Sequence, residues 1–215
     1  RRRNLGESHA DIAWWQYQMA GVDQQLEIPG GKAIIGRDKQ AAHQYFALEQ
    51  SLVSGLRKVS DEMGVSLYAC LATALKIVLY RYTGQKSFAI GTVSANRNTI
   101  DQQNLIGMFA STLPMPVGLD KDCKIKSAII DTWSYLQGRA AHNNVDFEDI
   151  VEACCEKRIA GVSPLFQVMF AYQNLPELDF PSTKNGAEVR LANAITGKAF
   201  LVEATSCKFD VSLYI

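Results

Sequence analysis

The chain has 215 residues, 47% of them hydrophobic, which is enough to bury the core of one large domain or two small ones. Lys and Arg number 22, and so do Asp and Glu, so the net charge offers little attraction to a phosphate backbone or an anionic membrane. The composition therefore disfavours nucleic-acid and membrane-surface binding.

The five cysteines are odd in number and show no C-x-x-C spacing, and nothing near the N-terminus resembles a signal peptide. These features indicate reduced thiols in a cytoplasmic protein. Cys154 and Cys155 are adjacent, which leaves a strained vicinal disulfide as an alternative. Neighbours on a helix point to different faces, however, so ordinary packing is favoured.

In chain order, DIAWWQYQMAG predicts a short helix with Asp11 near its start and Gly21 after its end. The Gly, Pro and charged residues of 22–40 are typical of a connector. HQYFALE alternates as a strand does, with Gln44, Phe46 and Leu48 on one face.

Two helices are predicted next, one from about Ser51 to a stop at Gly64, and one whose first turn Ser66 caps. The second helix is apolar, yet it is too short to span a membrane and Lys76 interrupts it, so a buried helix fits better. Its core stripe at helical spacing is expected to be Leu67, Leu71, Leu75, Val78 and Tyr82.

SFAIGTV then predicts a buried strand that leads into a polar loop, SANRNTIDQQ. STLPMPV is extended, and because Pro114 and Pro116 cannot donate to a ladder they favour an edge strand or one exposed side. A long helix ending near His142 is expected to pack through Ile125, Ile129, Trp133 and Leu136.

A shorter helix is predicted from Asp146 or Phe147 to about Cys155, with acidic residues where the helix dipole favours them. Further strands are predicted at LFQVMFAYQN, AFLVEA and KFDVSLY. Helices interleaved with strands indicate an α/β domain in which helices cover a mixed sheet.

Six segments together resemble the C-terminal half of nonribosomal peptide synthetase condensation domains, in both order and spacing. They are AWWQYQMAG with LEIP, LYRYTGQKSFAIGTVSANR, LIGMFASTLPMPV, AHNNVDFEDIVE, SPLFQVMFAYQN and KFDVSLY. The resemblance implies a chloramphenicol-acetyltransferase-like subdomain in residues 41–215. Residues 1–40 would be a connector with a short helix from the region between the two subdomains of the domain.

AHNNVDF places His142 and Asp146 at the spacing of an acyltransferase general base and its loop-ordering carboxylate. In the family that motif is HHxxxDG and lies in the N-terminal half, whereas HNNVDFE resembles the helix-starting motif (H/N)QDxPFE. Phe147 also stands where the tight catalytic loop needs Gly. We therefore expect His142 to end a helix, and we expect no catalytic residue in this chain. The alternative is a stand-alone acyltransferase, which would need His142 in an open pocket with an orienting partner.

The chain departs from the family at several motif positions. Val93 stands for Pro in IGxPVANR, and Ser111 stands for Asn in GFFVNT. Of RDxSRNPL, only Arg158, Pro164 and Leu165 remain. Epimerization domains often carry Ser at the position of Ser111 but usually lack the ANR loop, so the sequence favours condensation over epimerization.

By this resemblance, the residues that line the substrate tunnel would be Ser94, Asn96, Arg97, Phe109, Ser111 and Thr112. The alternatives are a loop that caps its own backbone at Asn96 and Arg97 and core packing of Phe109. Structural roles are expected for His142, Phe147, Glu148, Arg158 and Pro164. We expect no metal site, because the chain has only three scattered histidines.

The resemblance implies amide formation in the biosynthesis of a peptide antibiotic or a siderophore. An amine on an acceptor carrier protein would attack a thioester on a donor carrier protein. Both reactants would hang on phosphopantetheine arms of the carriers, so this chain would bind no cofactor directly. Its other partners would be the N-terminal condensation subdomain and the adenylation domain. A domain that recruits carrier proteins or a tailoring enzyme without chemistry is the alternative.

Overall fold

The structure is a computed structural model that describes residues 5–30, 41–97, 100–103, 105–173, 188–192, 195–198 and 206–215. The helices are α1 (Leu5–Met19), α2 (Gln50–Met63), α3 (Leu67–Thr83), α4 (Ile100–Gln103), α5 (Ile125–Ala141) and α6 (Phe147–Cys154). The strands are β1 (Ser87–Ser94), β2 (Ser111–Gly118), β3 (Val168–Ala171), β4 (Glu188–Ala192), β5 (Ile195–Lys198) and β6 (Val211–Tyr214).

The main sheet has the strand order β2-β1-β3-β6. β1 pairs antiparallel with β2 along its whole length and parallel with β3, and β3 pairs parallel with β6. β4 and β5 form a separate antiparallel pair. The predicted mixed sheet of an α/β fold is therefore confirmed. The predicted strand AFLVEA lies outside the described residues.

Helices cover both faces of the sheet, because successive side chains of a strand point to opposite sides. Phe88 and Ile90 of β1 pack in a core cluster with Ala72 and Leu79 of α3. Ala89, which lies between them in sequence, packs in a second cluster with residues of α1 and α6. The predicted layering of helices on a mixed sheet follows from this alternation.

Among the described residues β2 lies at the edge of the sheet, as its prolines predicted. Pro114 and Pro116 stand opposite Gly91 and Ala89 in the register with β1. Neither proline has an N–H to offer a further strand on the outer side. In addition, the Tyr135 hydroxyl donates to the Pro114 carbonyl at 2.6 Å. The outer edge of β2 is therefore blocked at these two positions.

The predicted helix ends are confirmed at three positions. Gly21 and Gly64 follow α1 and α2 with positive φ, the left-handed conformation that favours glycine. Ser66 accepts a hydrogen bond from the Ala69 amide at 3.2 Å and so caps the first turn of α3.

The strand predicted for HQYFALE is wrong. Residues 41–49 form neither helix nor strand, and Tyr45 and Phe46 are exposed. Among the described residues no strand pairs with this segment. The alternation is typical of a strand, but a strand also requires a ladder partner, which a local pattern cannot supply.

The predicted core stripe of α3 is also wrong in part. Leu71 and Leu75 pack at the margin of the core, whereas Val78 and Tyr82 are 60% and 62% exposed. The buried face lies beside the predicted one, and its members are Ala69, Cys70, Ala72, Thr73, Lys76 and Leu79. Small residues let the helix approach the sheet closely, so the large apolar side chains flank the contact. Ile125 of α5, also predicted for the core, is 65% exposed.

α1 begins six residues earlier than the predicted start at Asp11. Trp15 is fully buried in the cluster shared with α6, and its indole N–H donates to the His142 carbonyl at 2.9 Å. α1 thus packs directly on the rest of the fold. Among the described residues no single helix is long and apolar enough to cross a membrane, although α2 and α3, bent by 110° at their junction, pass that criterion together.

The ring of Phe166 covers Gly91 in the middle of the sheet. A Cβ on residue 91 would lie 2.6 Å from Cδ2 and Cζ of this ring and closer still to Cε2. Phe147 and Phe209 pack on the same ring, with centroids at 5.5 and 5.4 Å. Position 91 therefore requires glycine, because the ring leaves no room for a side chain.

A buried polar network joins α3 and α5. Lys76 is only 6% exposed and donates to the Thr132 hydroxyl at 3.1 Å. Thr73 bonds the same hydroxyl at 3.0 Å, and Thr132 in turn donates to the Ala128 carbonyl. Burial lowers the pKa of Lys76 from 10.5 to about 8, against the opposing effect of Asp131.

We predict that Gly91→Ala lowers the free energy of unfolding by about 1–3 kcal/mol, because the new methyl group must displace a packed ring. Urea unfolding followed by circular dichroism measures this loss. Gly118→Ala is the matched control, since nothing lies within 4 Å of a Cβ at that strand position. Equal effects of the two substitutions would show that the Phe166 contact does not limit position 91.

We predict that Lys76→Met raises the free energy of unfolding at pH 7 by about 1–3 kcal/mol, because a buried ammonium loses solvation that one hydroxyl does not replace. The unfolded chain binds more protons between pH 8 and 10.5, so the wild-type stability should rise over that interval. The variant should lack this rise. Lys58→Met, at an exposed lysine of α2, controls for the gain in helix hydrophobicity.

Candidate functional site

The sheet brings the two predicted tunnel segments together at one end of the β1–β2 pair. Ser94, the last residue of β1, stands opposite Ser111, the first residue of β2, and Val93 stands opposite Thr112. Asn96 follows with φ 49°, a left-handed conformation that asparagine tolerates better than most residues. Its amide lies 3.4 Å from the Ser94 hydroxyl. The chain therefore turns sharply away from the sheet at this point.

Arg97 holds the loop between β1 and β2. Its guanidinium donates to the carbonyl of Gln102, to that of Leu105 at 2.8 Å and to that of Gly107 at 3.1 Å. The same group lies 4.4 Å from the centroid of the Phe109 ring, which is a cation–π contact. The alternative given for Arg97 above, a loop that caps its own backbone, therefore describes this residue well. A planar fork of donors suits three carbonyls, which a lysine cannot match.

This loop presents apolar side chains to solvent. Ile106 and Met108 are essentially fully exposed, and Leu105 and Ile100 are more than half exposed. Phe109 is half-buried beneath Arg97. Ser111 carries a buried hydroxyl oxygen with no hydrogen-bond partner among the described residues. The strand end thus combines the carbonyls and ring held by Arg97, exposed apolar side chains and an unsatisfied polar atom among the described residues.

Sequence reasoning missed a second set of polar side chains, which lies around Thr92 of β1. Arg139 of α5 donates to the Thr92 hydroxyl at 2.5 Å, and Thr92 donates to the Leu113 carbonyl. Tyr68 lies beside both and makes no hydrogen bond of good geometry with a described residue. Burial raises the pKa of Tyr68 and Tyr135, and the positive charge of Arg139 opposes both shifts. The only sequence signal was a positive charge in the last turn of a helix.

His142 lies at a junction of three helices. It follows the last residue of α5, and its Nδ1 lies 2.8 Å from the Asp11 carboxylate of α1. The imidazole stacks on Trp14 at 4.8 Å between centroids, and the ring of Trp14 also stacks on Tyr135. His142 has an orienting carboxylate, as a general base would, but it is packed at a helix junction.

The other residues expected to be structural lie around α6 and the loop that follows it. Phe147 packs on Phe166, whereas Glu148 and Arg158 are exposed. The Pro164 carbonyl accepts from the Phe166 amide at 2.8 Å, in a tight turn where Leu165 has φ 66°. Among the described residues no group of three or more His, Cys, Asp or Glu side chains is arranged to hold a metal ion.

The family model for the condensation domain matches residues 4–215. One polypeptide of the linear gramicidin synthase of Brevibacillus parabrevis is 30% identical over 94% of this chain and 2% of its own length. Tyrocidine synthase 2 of the same organism is 28% identical over 93% of this chain and 5% of its own length. The chain belongs to the condensation-domain family of nonribosomal peptide synthetases.

Solved structures agree with this fold. Holo-AB3403, a four-domain nonribosomal peptide synthetase bound to AMP and glycine, matches 99% of this chain and 16% of its own with a TM-score of 0.80 at 18% identity. The X-domain from teicoplanin biosynthesis matches 99% of this chain and 45% of its own with a TM-score of 0.79 at 19% identity. The chain thus spans less than half of each of these relatives.

We predict that Arg97→Lys speeds amide exchange at residues 105–110 about tenfold or more without unfolding the sheet, because the donors of lysine sit on one nitrogen and lack the planar fork that reaches these separate carbonyls. Hydrogen exchange followed by mass spectrometry measures the change. Arg158→Lys, at an exposed arginine outside the loop, is the matched control. Unchanged exchange in Arg97→Lys would mean that other contacts hold the loop.

Proposed function

We propose that this chain is the C-terminal subdomain of a condensation domain and supports amide formation between carrier-bound substrates. Residues 41–215 form the subdomain, and residues 1–40 form the connector with α1 from the region between the two subdomains. The subdomain supplies one wall of the substrate tunnel and a docking surface for the donor and acceptor carrier proteins. The N-terminal subdomain and the adenylation domain are its neighbours in the synthetase.

The observation that carries this proposal is the meeting of the two family motifs at one strand end. Eleven residues separate Ser94–Arg97 from Phe109–Thr112 in sequence. Even so, Ser94 stands opposite Ser111 in the β1–β2 ladder, and Arg97 contacts the Phe109 ring. The buried Ser111 hydroxyl lacks a protein partner among the described residues, and such an atom gains free energy when water or a ligand reaches it. Backbone carbonyls held by Arg97 and an available polar atom beside them suit a tunnel wall.

The reaction needs little covalent help from this subdomain. The amine of the acceptor attacks the thioester carbonyl of the donor, the C–S bond breaks, and the donor arm leaves as a thiol. The phosphopantetheine arms belong to the carriers, and the wall holds them so that amine and carbonyl meet. Holding two reactants in register supplies several kcal/mol, about 7–11 kcal/mol in the best intramolecular cases.

The chain provides no general base in this proposal. His142 bonds Asp11 and stacks flat on Trp14, so its side chain serves to join α1 to the α5–α6 junction. A base on the family pattern HHxxxDG would come from the N-terminal subdomain. The isolated chain should therefore be inactive.

A recruitment domain without chemistry is the second candidate. The exposed apolar loop tip at Ile106 and Met108 is the observation that favours it, because exposed apolar patches mark contacts with other proteins. One solved relative is a complex of the X-domain and OxyB from teicoplanin biosynthesis. An epimerization-type domain is supported only by Ser111 and stays the weaker alternative.

The test is peptide-bond formation between two loaded carrier proteins, followed by mass spectrometry of the carrier-bound product. We predict no product with this chain alone, product with the complete condensation domain, and less than about a threefold loss of rate for His142→Ala in the complete domain, because the chemistry does not use this side chain. Because His142→Ala also removes a packing contact, the thermal unfolding of this variant must be measured in parallel. Asp11→Asn is the matched control, since it alters the partner of His142 and leaves the imidazole in place.

Three results would contradict the proposal. Product from the isolated chain that disappears with His142→Ala would make His142 the general base. Conversion of a bound L-aminoacyl group to its D-form without a new amide would indicate epimerization. A complete domain that binds the carriers but forms no product would favour recruitment.

A further inference from the structure

An arginine, a tyrosine and a threonine lie together where β1 ends, α3 begins and α5 ends. Tyr68 is in the first turn of α3, Arg139 is in the last turn of α5, and Thr92 is in β1 two residues before Ser94. Tyr68 stacks on Phe170 at 5.3 Å between centroids, and Phe170 stands beside Thr92 in the register of β1 and β3. Because a strand rises about 3.3 Å per residue, these side chains lie about 7 Å from the predicted tunnel segment that begins at Ser94.

The guanidinium of Arg139 is held in place but has no charge partner. It donates to the Thr92 hydroxyl, and Thr92 donates in turn to the Leu113 carbonyl at 3.0 Å. Among the described residues no carboxylate lies within ion-pair distance of this guanidinium. The side chain is half-buried, so it loses part of its hydration without the compensation of an anion. Its remaining N–H groups are therefore available to a negatively charged ligand.

The Tyr68 hydroxyl supplies a second donor. Among the described residues two buried side-chain oxygens lack a hydrogen-bond partner, Tyr68 Oη and Ser111 Oγ. Both lie at this end of the sheet, since Ser111 stands opposite Ser94. Burial raises the pKa of Tyr68 against the opposing charge of Arg139, so the phenol stays protonated at neutral pH and can donate. An unsatisfied O–H beside an unpaired cation suits an acceptor that carries negative charge.

The charge of this arrangement matches a carboxylate. Among the described cations, Arg139 alone acts on both Tyr68 and Tyr135, and the two phenols are neutral. The Tyr135 hydroxyl is already committed to the Pro114 carbonyl. One positive charge and one available phenol suit a monoanion with two oxygens, because a guanidinium bonds a carboxylate through two parallel N–H···O contacts.

We propose that Arg139 and Tyr68 bind the side-chain carboxylate of a carrier-bound aminoacyl or peptidyl substrate. This proposal rests on the proposed function. The α-carboxyl of such a substrate is consumed in its thioester, so the carboxylate comes from a side chain, as in aspartate or glutamate. The phosphodiester of the phosphopantetheine arm is also a monoanion. It is fixed to the carrier surface at the far end of the arm, however, whereas Thr92 is fully buried.

The test measures amide formation by the complete condensation domain with matched pairs of carrier-bound residues. Glutamate is compared with glutamine and aspartate with asparagine, first on the donor carrier and then on the acceptor carrier. Within each pair the charge changes and the shape is nearly constant. We expect the acidic member to react at least about tenfold faster at one of the two positions, because hydrogen bonds to a charged group are the stronger kind. The position that shows the preference identifies the substrate that reaches Arg139.

The ratio of the two rates within each pair is compared between variants, so that a general loss of activity cancels. Arg139→Gln should bring the ratio to about one, and Arg139→Lys should retain part of it, because the charge remains without the planar fork. Tyr68→Phe should lower the ratio at least about threefold without lowering the free energy of unfolding, because the hydroxyl that it removes has no partner among the described residues. Arg158→Gln, at an exposed arginine, is the matched control and should keep the ratio.

Ratios near one in every pair of the unaltered domain would overturn the proposal, and so would an acidic preference that survives Arg139→Gln. Equal slowing of all substrates by Arg139→Gln would also overturn it and would indicate the phosphodiester as the ligand. Failure of the proposed function is recognised separately, from calorimetric binding of the stable pantetheine amides of glutamate and glutamine. Tighter binding of the glutamate amide that Arg139→Gln removes, without product from loaded carriers, would support the site and contradict the proposed function.

Discussion

The ring of Phe166 occupies the space that a side chain at position 91 would fill, and much of the fold depends on this contact. Gly91 lies in β1, one of the two inner strands of the described sheet, so the ring rests on the middle of the sheet. Phe147 from α6 and Phe209 from the chain before β6 pack on that ring. One aromatic ring packed on a glycine thus brings together four segments that are distant in sequence: β1, α6, the chain before β3 and the chain before β6.

This contact also explains why the family motifs are spread along the chain. IGTV, DFE, SPLF and KFDV each contribute one of its members, so the segments that carried the resemblance are in physical contact. Substitution of the motif proline by Val93 leaves this centre untouched, because Val93 lies at the exposed end of β1. The departures at Val93 and Ser111 are at the rim of the sheet, and its centre is retained.

Local patterns predicted the elements that depend on local physics. Glycines with positive φ and the Ser66 cap ended or began helices where the sequence indicated, and the two prolines of β2 marked an edge. The patterns were wrong where a contact with a distant part of the chain determines the structure. HQYFALE has the alternation of a strand without a described neighbour, and α3 packs through alanines and Lys76 while Val78 and Tyr82 are exposed. Periodicity alone identifies the most hydrophobic face of a helix. Packing on the sheet instead buries the face whose side chains allow the closest fit.

For the candidate site, the resemblance indicated which residues to examine but not how they are held. Arg97 was expected at a tunnel or in a self-capped loop, and the structure shows the carbonyls and the ring that it binds. Arg139, Tyr68 and Thr92 were missed because each lies on a different element and nothing in their spacing connects them. Asp11 was read as a helix start, although its carboxylate bonds His142 across 131 residues.

The two prolines of β2 have a consequence for how copies of this protein associate. A sheet with two open edges can add further molecules head to tail without limit, as fibrils do. Here one edge lacks two donors, and Tyr135 occupies a carbonyl between them. Strand pairing between copies can therefore use only the edge formed by β6. Two copies that pair through this edge leave only the blocked β2 edges at the outside, so the result is a closed pair instead of a filament.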